Sequence, residues 1–340
     1  MIDLDQWDFD LPDERIARFP TAERADARLL VVREGASEFE DRHVRDLPDL
    51  LAPGDLLVGN DTRVMQARLM AHRRHTGGAV EVFLLEPGPG PVEALLRPGR
   101  RVREGEVLEL DGGGTVRVVE RRDERFLVEL DADPASVMAS QGQIPLPPYL
   151  GRDAVPDDKV RYQTTYAGPL GASAAPTAGL HFTPALLARL ADRGVGFATV
   201  TLHVGLGTFR PPRPEDLAAG RLHEEPFTIP QATVHAIAEA RARGGRIIAI
   251  GTTTVRALES ATPDGERLPA AGSGATTILI APGYRFKVID GLITNFHLPR
   301  SSLLLLVGAL IGRERLFGAY AQALRNGYRY FSYGDAMLLL

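Results

Sequence analysis

The feature that most constrains the fold is a change in sequence texture near residue 65. From about Met65 to Val137 the chain consists of short runs in which apolar and polar residues alternate, among them AVEVFLL, EVLEL, TVRVVE and RFLVEL. Gly- and Pro-rich turn signals such as HTGG, PGPGP and DGGG separate these runs. Short strands at close spacing with such punctuation are typical of a small β-barrel or sandwich. The sequence therefore predicts an all-β unit in this part of the chain.

Helices alternate with strands after this block. The prolines of IPLPPYLGR (144–152) mark a linker. Thr183 followed by Pro184 predicts a helix start, and Gly194 predicts the end of that helix. Further strands and helices follow in alternation, among them GFATVTLHV, RIIAI and LLLLVGALIG. This alternation indicates an α/β layer.

A length of 340 residues allows roughly two domains. A short buried strand is predicted at 55–58, before the β-rich block, so the α/β layer draws on both ends of the chain. We expect an α/β layered main domain formed by residues 1–64 and 151–340, with an inserted small β-barrel domain at 65–150.

Composition excludes several classes of protein. The chain has no cysteine, which excludes disulfides, thiolate nucleophiles, cysteine zinc sites and iron–sulfur clusters. The acidic N-terminus lacks the apolar core of a signal peptide, and the longest apolar run, 303–311, is shorter than the roughly 20 residues of a membrane span. The net charge of -5 gives no global sign of nucleic-acid binding. We expect a cytoplasmic protein without a membrane partner.

Polar residues stand where ligands bind in open α/β sheets, beyond the carboxyl ends of the strands. His181 in AAPTAGLHFT and His203 in TLHVGLGTFR each stand alone among small residues. The turn Thr252–Thr254 opens a helix, so its amides and hydroxyls could hold an anion. Two more apparent strands are followed by polar turns, Asn295-Phe296-His297 and Tyr333-Gly334-Asp335.

Each of these residues also has a structural interpretation. His203 alternates with Thr199 and Thr201 on one strand and could be a core histidine. The threonine run could be capping chemistry. Arg256 and Glu259, three residues apart on one helix face, could form an exposed ion pair. The histidines lack HExxH-type spacing, so no metal site is predicted, and neither GxGxxG nor a Walker motif is present.

Arginines crowd two hairpins of the predicted barrel, in HRRH (72–75) and in RPGRRVR (97–103). Basic hairpins on a small barrel suit contacts with an RNA backbone, although runs of exposed arginine are more often solvated faces. The candidate RNA-binding residues are Arg68, Arg73, Arg74, Arg100, Arg101 and Arg103.

Several strings together resemble one family, the S-adenosylmethionine:tRNA ribosyltransferase-isomerases of queuosine biosynthesis. They include GDLLVGNDTRVMQARL, RYQTTYA, AAPTAGLHFT, VTLHVGLGTFRP, GTTTVRALES, NFHLPRSSLLLLV and YRYFSYGDAML, and they run in order from about Leu11 to the C-terminus. The resemblance implies an α/β domain with an inserted β-barrel. It also implies a reaction in which the ribosyl part of S-adenosylmethionine is transferred to 7-aminomethyl-7-deazaguanine at the tRNA wobble position and isomerised. The products would be epoxyqueuosine, adenine and methionine.

The resemblance further implies the partners. S-adenosylmethionine is consumed as a ribosyl donor, so no separate cofactor is expected. The tRNA substrates are those with GUN anticodons, and the barrel arginines become candidates for tRNA binding. We expect a monomer.

This chemistry assigns hypothetical roles to the polar strand ends. His181 or His203 would be the base that removes a C5′ hydrogen, since histidine titrates near neutral pH. Glu259 or Asp335 would balance the sulfonium charge. The threonine turn and Arg256 would hold the methionine carboxylate. The residues expected to bind S-adenosylmethionine are Thr177, Gly179, Thr252, Thr253, Thr254, Arg256, Asn295, Phe296, His297 and Tyr333, with Phe296 or Tyr333 stacking on a base.

Some positions depart from the family pattern. Gly220 stands where the family usually has a histidine, whereas His223 and Glu225 keep the pattern and are expected to line the site. An S-adenosylmethionine-dependent RNA methyltransferase is an alternative, but its Gly-rich loop is missing. A non-catalytic RNA-binding protein would explain the basic hairpins but not the polar strand ends.

Overall fold

Both ends of the chain supply strands to one large sheet. The computed structural model describes residues 2–205 and 212–340. In chain order the strands are β1 (Arg28–Val32), β2 (Glu40–His43), β3 (Leu56–Asn60), β4 (Arg63–Val64), β5 (Arg68–Arg73), β6 (Ala79–Leu84), β7 (Val92–Arg97), β8 (Val107–Leu110), β9 (Thr115–Arg122), β10 (Arg125–Leu130), β11 (Leu170–Ala172), β12 (Gly196–Leu202), β13 (Arg221–Ile229), β14 (Ile247–Ile250), β15 (Gly272–Ile278), β16 (Gly291–Asn295) and β17 (Ala336–Leu339).

Helices cover both faces of the sheet. The α-helices are α1 (Leu47–Leu50), α2 (Pro134–Gln141), α3 (Asp158–Arg161), α4 (Pro184–Asp192), α5 (Pro214–Ala218), α6 (Gln231–Ala242), α7 (Thr252–Ala261), α8 (Ser302–Ile311) and α9 (Arg313–Arg325). Short 3₁₀ helices lie at Leu4–Trp7, Asp13–Arg15, Arg24–Asp26, Val44–Asp46, Gly99–Arg101, Pro148–Leu150 and Thr177–His181. Across the described residues, no helix combines the length and the apolar character needed to cross a bilayer.

The large sheet has the strand order β15-β13-β12-β3-β14-β16-β17-β1-β2. Its centre, β12, β3, β14 and β16, is parallel, and β17 returns antiparallel to β16. The central strand β3 comes from before the β-rich block, whereas its neighbours come from after it. The expected α/β layer formed by both ends of the chain is therefore confirmed.

The β-rich block closes into a barrel in the order β10-β7-β6-β5-β8-β9. Alternate residues point inward, as in β7, where Val92, Ala94 and Leu96 are buried and the residues between them are partly exposed. This alternation is what a half-buried antiparallel strand requires. The inserted β-barrel is thus confirmed. Its strands, 68–130, lie within the expected insertion, whose limits at 65 and 150 stay a prediction.

The local signals in the sequence explain the main helices and strands. Thr183 caps α4 by accepting a hydrogen bond from the Leu186 amide at 3.1 Å. All four residues of β14 are buried, as the continuous apolar run IIAI indicates for a parallel strand covered on both faces. Strands β1 and β13 were not predicted.

Two predicted turns have a different position from the one expected. The three threonines Thr252–Thr254 form the first turn of α7, with Gly251 before them at φ +88°, so they belong to the helix itself. Tyr333-Gly334-Asp335 precedes β17 and does not follow a strand. Because β17 is antiparallel to β16, with Ala336 opposite Asn295, the start of β17 still lies at the carboxyl edge of β16.

A close approach of two loops fixes the opposite edge of the central strands. A Cβ on Gly245 would lie 1.9 Å from the carbonyl oxygen of Gly54, which no relaxation of a side chain could relieve. Beside it, the Arg246 guanidinium donates to the buried carboxylate of Asp55. The glycine therefore sets the spacing between the residues that lead into β3 and β14.

We expect Gly245→Ala to lower the free energy of unfolding by about 1–3 kcal/mol, because overpacking forces the backbone apart. Gly318→Ala is the matched control. It lies on the exposed face of α9 with its nearest contact at an ordinary 3.6 Å, and alanine in a helix should raise stability by roughly 0.5–1 kcal/mol. Urea unfolding of both variants measures the difference, and equal stability of the two would contradict the assignment.

Candidate active site

Three polar turns meet at one edge of the sheet. The parallel strands β14 and β16 end at Ile250 and Asn295, and the antiparallel β17 starts opposite Asn295. The start of α7, the turn after β16 and residues 331–334 are therefore brought to the same edge.

A cavity of about 740 Å³, partly open to solvent, lies at this edge. Six of the residues expected to bind S-adenosylmethionine line it, namely Thr177, Thr252, Thr253, Asn295, Phe296 and His297. The rest of its described wall consists of Tyr149, Ala174, Ala175, Pro176, Ala178, Val204, Gly251, Thr294, Leu298, Ser301, Leu303, Phe331 and Ser332. Its described wall contains no carboxylate side chain, so hydroxyls, amides, one imidazole and aromatic rings supply its polarity.

Two helix N-termini border this larger cavity. Gly251 is the N-cap of α7, and Thr252 and Thr253 are its first residues. Ser301 caps α8 by accepting a hydrogen bond from the Leu304 amide. Helix N-termini carry free amides and the positive end of the helix dipole. This part of the wall is therefore suited to a carboxylate or another anion.

A second, much smaller cavity, partly open to solvent, adjoins the first. His181 and Tyr333 line it, together with Pro20, Thr21, Arg24, Arg161, Leu180, Ser332 and Gly334. Ser332 lines both cavities, and the Asn295 Nδ2 lies 3.3 Å from the His181 Nε2. The two cavities therefore share a wall, in which His181 and Asn295 meet.

Both cavity histidines are held neutral. Burial, reinforced by the charges of Arg329 and Arg24, lowers the pKa of His181 to about 4. Burial alone lowers the pKa of His297 to about 3, and its Nε2 lies 2.8 Å from the Thr294 Oγ1. At neutral pH each imidazole has an unprotonated nitrogen, so each can accept a proton.

His203 lies behind the larger cavity. Its Nδ1 is 2.8 Å from the Thr62 Oγ1, and burial lowers its pKa. A Cβ on Gly171 would come within 2.8 Å of the ring, so the ring packs directly on that backbone. Of the described residues, Val204 next to it lines the cavity and His203 does not. The following GLGTFR motif falls largely on residues 206–211, which lie outside the described residues.

Glu259 and Asp335 line neither cavity, so their expected role beside the sulfonium stays a prediction without support from the cavity walls. The Glu259 carboxylate accepts hydrogen bonds from the Tyr284 hydroxyl and from the amides of residues 287–289, so it holds that loop against α7. The Asp335 carboxylate accepts from the amides of Arg28 and Arg329, at 2.9 and 2.8 Å. Both carboxylates stabilise backbone that would otherwise be unpaired.

Three residues expected to bind S-adenosylmethionine serve packing instead. Arg256 forms a buried ion pair with Glu225, and burial opposes ionisation of Glu225 while His223, Arg256 and the Gly205 amide lower its pKa. The Thr254 hydroxyl donates to the carbonyl of Ile250 at the end of β14. A Cβ on Gly179 would lie 2.3 Å from the Tyr166 hydroxyl, so this glycine permits a close contact in the core.

The barrel arginines divide into two groups. Arg68, Arg73 and Arg74 form ion pairs with Glu81, Glu106 and Glu109 of the barrel itself. Three arginines in the connection between β7 and β8 are exposed and form no ion pair among the described residues, namely Arg100, Arg101 and Arg103. This connection is not the hairpin that was expected, because β7 and β8 are not neighbours in the barrel. Their role in tRNA binding stays a prediction, and it is better supported for the second group.

Several cavity residues were missed by the sequence reasoning. Tyr149 and Phe331 place their ring centroids 4.7 Å apart at the larger cavity, and the Tyr149 hydroxyl lies 2.5 Å from the Ser332 Oγ. Asn60 links two of the polar strand ends, because its Nδ2 donates to the Leu202 carbonyl and to the Thr253 Oγ1. The polar turn after β3 was the available signal for Asn60. None existed for Tyr149, which lies in the proline-rich linker.

Metal binding finds no support in the described part of the chain, which brings no three His, Asp or Glu side chains together as a ligand set.

A polar cavity at the carboxyl edge of the parallel strands of a sheet is where α/β enzymes bind their ligands. The closed barrel inserted into the layer distinguishes this α/β enzyme from simpler ones. A family model described as "Queuosine biosynthesis protein" matches residues 4–339, and the chain belongs to that family.

Relatives that match over their full length carry one name, S-adenosylmethionine:tRNA ribosyltransferase-isomerase. The chain is 51% identical over 342 residues to the S-adenosylmethionine:tRNA ribosyltransferase-isomerase of Gloeobacter violaceus, covering 99% of this chain and 95% of the relative. It is 48% identical to the protein of the same name from Pelotomaculum thermopropionicum, with 100% of both chains covered. The crystal structure of S-adenosylmethionine tRNA ribosyltransferase from Thermotoga maritima aligns with a TM-score of 0.57 at 35% identity, covering 98% of this chain and all of that one.

The two neutral histidines make stability depend on pH. Their pKa values are about 4 and 3 when folded, against about 6.5 unfolded, so the unfolded chain takes up protons first as the pH falls below 6.5. We expect each of the two histidines to lower the free energy of unfolding by roughly 2 kcal/mol as the pH falls from 6.5 to 5. Urea unfolding at several pH values measures this, and His181→Gln should flatten the slope. If the free energy of unfolding of His181→Gln varies with pH as steeply as that of the wild type, burial of His181 does not cause the pH dependence.

Proposed function

We propose that this protein is an S-adenosylmethionine:tRNA ribosyltransferase-isomerase. It transfers the ribosyl part of S-adenosylmethionine to the aminomethyl group of 7-aminomethyl-7-deazaguanine at the tRNA wobble position and isomerises it, which gives epoxyqueuosine. The observation that carries the proposal is the cavity at the sheet edge. The AAPTAGLHFT, GTTTVRALES and NFHLPRSSLLLLV segments, which resemble the family, all contribute to its wall.

The reaction balances without a further cofactor. Three bonds break: the C1′ bond to adenine, the C5′ bond to sulfur and one carbon–oxygen bond of the ribose ring. Three bonds form: one to the amine nitrogen, one between C1′ and C5′ that closes the cyclopentane ring, and one carbon–oxygen bond of the epoxide. The proton removed from C5′ matches the one that adenine requires on leaving. The amine gives up one proton, which offsets the loss of the sulfonium charge.

The larger cavity suits a sulfonium nucleotide. Its described wall offers no carboxylate, so the cation would be stabilised by the faces of Tyr149, Phe296 and Phe331. The methionine carboxylate would lie at the N-terminus of α7, where the Thr252 and Thr253 side chains and the helix amides converge.

His181 is the better supported of the two candidates for the base. It is neutral at physiological pH, it lines a cavity, and Asn295 orients its ring from the wall shared with the larger cavity. Its lowered pKa keeps the imidazole unprotonated before the reaction, and the sulfonium acidifies the C5′ hydrogens that it would remove. His203 does not belong to the described cavity wall, and its Nδ1 contacts the Thr62 Oγ1.

The finer assignments belong to the same proposal. The tRNA substrates carry GUN anticodons, the enzyme works as a cytoplasmic monomer, and S-adenosylmethionine is the sole small-molecule substrate.

The direct test is incubation with S-adenosylmethionine and tRNA that carries the aminomethyl base, followed by nucleoside mass spectrometry and quantification of free adenine. Epoxyqueuosine and adenine should form in equal amounts. A methylated nucleoside without adenine release would indicate a methyltransferase, and binding without any product would indicate a non-catalytic RNA-binding protein.

We expect His181→Asn to lower kcat by roughly 10²- to 10⁴-fold, the usual contribution of a general base, while the Kd for tRNA stays within about twofold of the wild type. His203→Asn is made in parallel. If His203→Asn abolishes turnover and His181→Asn does not, the base is His203. Undiminished turnover in both variants would remove histidine from the base role altogether.

A further inference from the structure

The smaller cavity has a cationic wall that the reaction described above does not use. The Arg24 guanidinium donates to the carbonyls of Leu180 and Val160, both at 2.8 Å. The Arg161 guanidinium donates to the carbonyls of Thr21 and Ala22. Neither arginine forms an ion pair with a carboxylate of the described residues, so their charges are left without a counterion.

Donors remain available on these arginines. A guanidinium has five N–H donors, and the two carbonyl bonds of each leave others free. The buried Arg161 Nε has no hydrogen-bond partner among the described residues, and neither does the buried Arg329 Nη2. The Arg329 Nη2 lies 3.7 Å from Asp335, beyond hydrogen-bond distance. These buried atoms are closed to solvent, so the donors that an anion could reach are those with which Arg24 and Arg161 line the cavity.

The carboxylates nearby are mostly engaged elsewhere. Asp158 accepts from the Arg152 guanidinium, at 2.7 and 2.9 Å, and from the Tyr333 hydroxyl at 2.6 Å. Asp157 acts on Arg24 only through its charge, and its side chain is exposed. The cavity therefore keeps a positive potential, in agreement with the lowered pKa of His181 in its wall.

An exposed aromatic platform lies beside this cavity. Phe19, next to the lining residues Pro20 and Thr21, is 55% exposed, and the Arg152 guanidinium stacks 4.2 Å from its ring centroid. Val160, whose carbonyl Arg24 binds, is 66% exposed. Exposed apolar side chains on a rim of arginines are unfavourable in water, and they are typical of surfaces on which unstacked bases pack.

We propose that Phe19, Arg24, Arg152 and Arg161 form the docking surface for the single-stranded anticodon loop, with a backbone phosphate between Arg24 and Arg161 and a base stacked on Phe19. This inference rests on the proposed function and names where the tRNA is held. Phosphate contacts fix register, and stacking on an aromatic ring fits the unpaired bases of a loop. Because Ser332 lines both cavities, a phosphate at the mouth of the smaller one would place its nucleotide near the larger one.

The test is the Kd for a GUN-anticodon tRNA and for its isolated anticodon stem-loop, measured by fluorescence anisotropy across a salt series. Arg161→Gln should weaken binding about tenfold and reduce the slope of log K against log salt by about one. Phe19→Ala should weaken binding about tenfold, whereas Phe19→Tyr should bind like the wild type.

Arg315→Gln is the matched control. Like Arg161, Arg315 donates to two backbone carbonyls, those of Arg33 and Ala36, and keeps a buried Nε without a partner, but it lines neither cavity. Its tRNA affinity should stay within twofold of the wild type. If Arg315→Gln and Arg161→Gln weaken tRNA binding equally, the cause is the loss of one positive charge anywhere on the protein, and the inference is overturned.

Two further outcomes would also overturn it. One is tRNA affinity within twofold of the wild type in both Arg161→Gln and Phe19→Ala. The other is a raised KM for S-adenosylmethionine with an unchanged tRNA Kd, which would assign the arginines to the methionine carboxylate. If Arg161→Gln does not fold, the comparison of Phe19→Ala with Phe19→Tyr still tests the inference, because Phe19 is exposed and its substitution should leave the fold intact. Binding needs no turnover, so failure of this inference is separate from failure of the wild type to release adenine.

Discussion

The antiparallel pairing of β17 with β16 is the constraint on which the site depends. In a purely parallel layer, the residues before a strand lie at the edge opposite to the residues that follow its neighbour. Here the register places Ala336 beside Asn295, so residues 331–334 come to the carboxyl edge of β14 and β16. Phe331 and Ser332 thereby reach the larger cavity, and Ser332 and Tyr333 reach the smaller one. One reversed strand thus lets a loop before a strand share a site with loops after strands.

The electrostatics of the two cavities are complementary. The larger one has no carboxylate in its described wall and two helix N-termini at its border, so it offers aromatic faces to a cation and amides to an anion. The smaller one has unpaired guanidinium charge. Between them, His181 is kept neutral by burial and by Arg329 and Arg24. A neutral imidazole between these two cavities has an unprotonated nitrogen, which a histidinium in the same position would lack.

The sequence predicted the layer and the barrel because their signals are local. The capping pair Thr183-Pro184 and the alternation in β7 act within a few residues of where they are read. The candidate site depends on pairing between distant strands, which leaves no local signal. Thr252, Asn295 and His297 were placed correctly at a strand edge, whereas Glu259 lines neither cavity because its carboxylate turns toward the amides of a loop almost thirty residues away. Tyr149 could not be found at all, since only the folded linker brings it against Phe331.

The arginines of the barrel and those of the smaller cavity differ in their partners. The barrel arginines Arg73 and Arg74 meet glutamates on the adjacent strand β8 or the turn before it, as cross-strand pairing provides. Arg24 and Arg161 instead bind carbonyls of segments that carry no carboxylate toward them, and so they retain their charge at the rim of the site. A chain with a net charge of -5 can therefore still present a cationic surface to RNA, because what attracts a polyanion is the local excess of unpaired charge. That excess lies beside the cavity that contains His181, so binding of the RNA backbone and the proton transfer chemistry would occur on the same wall.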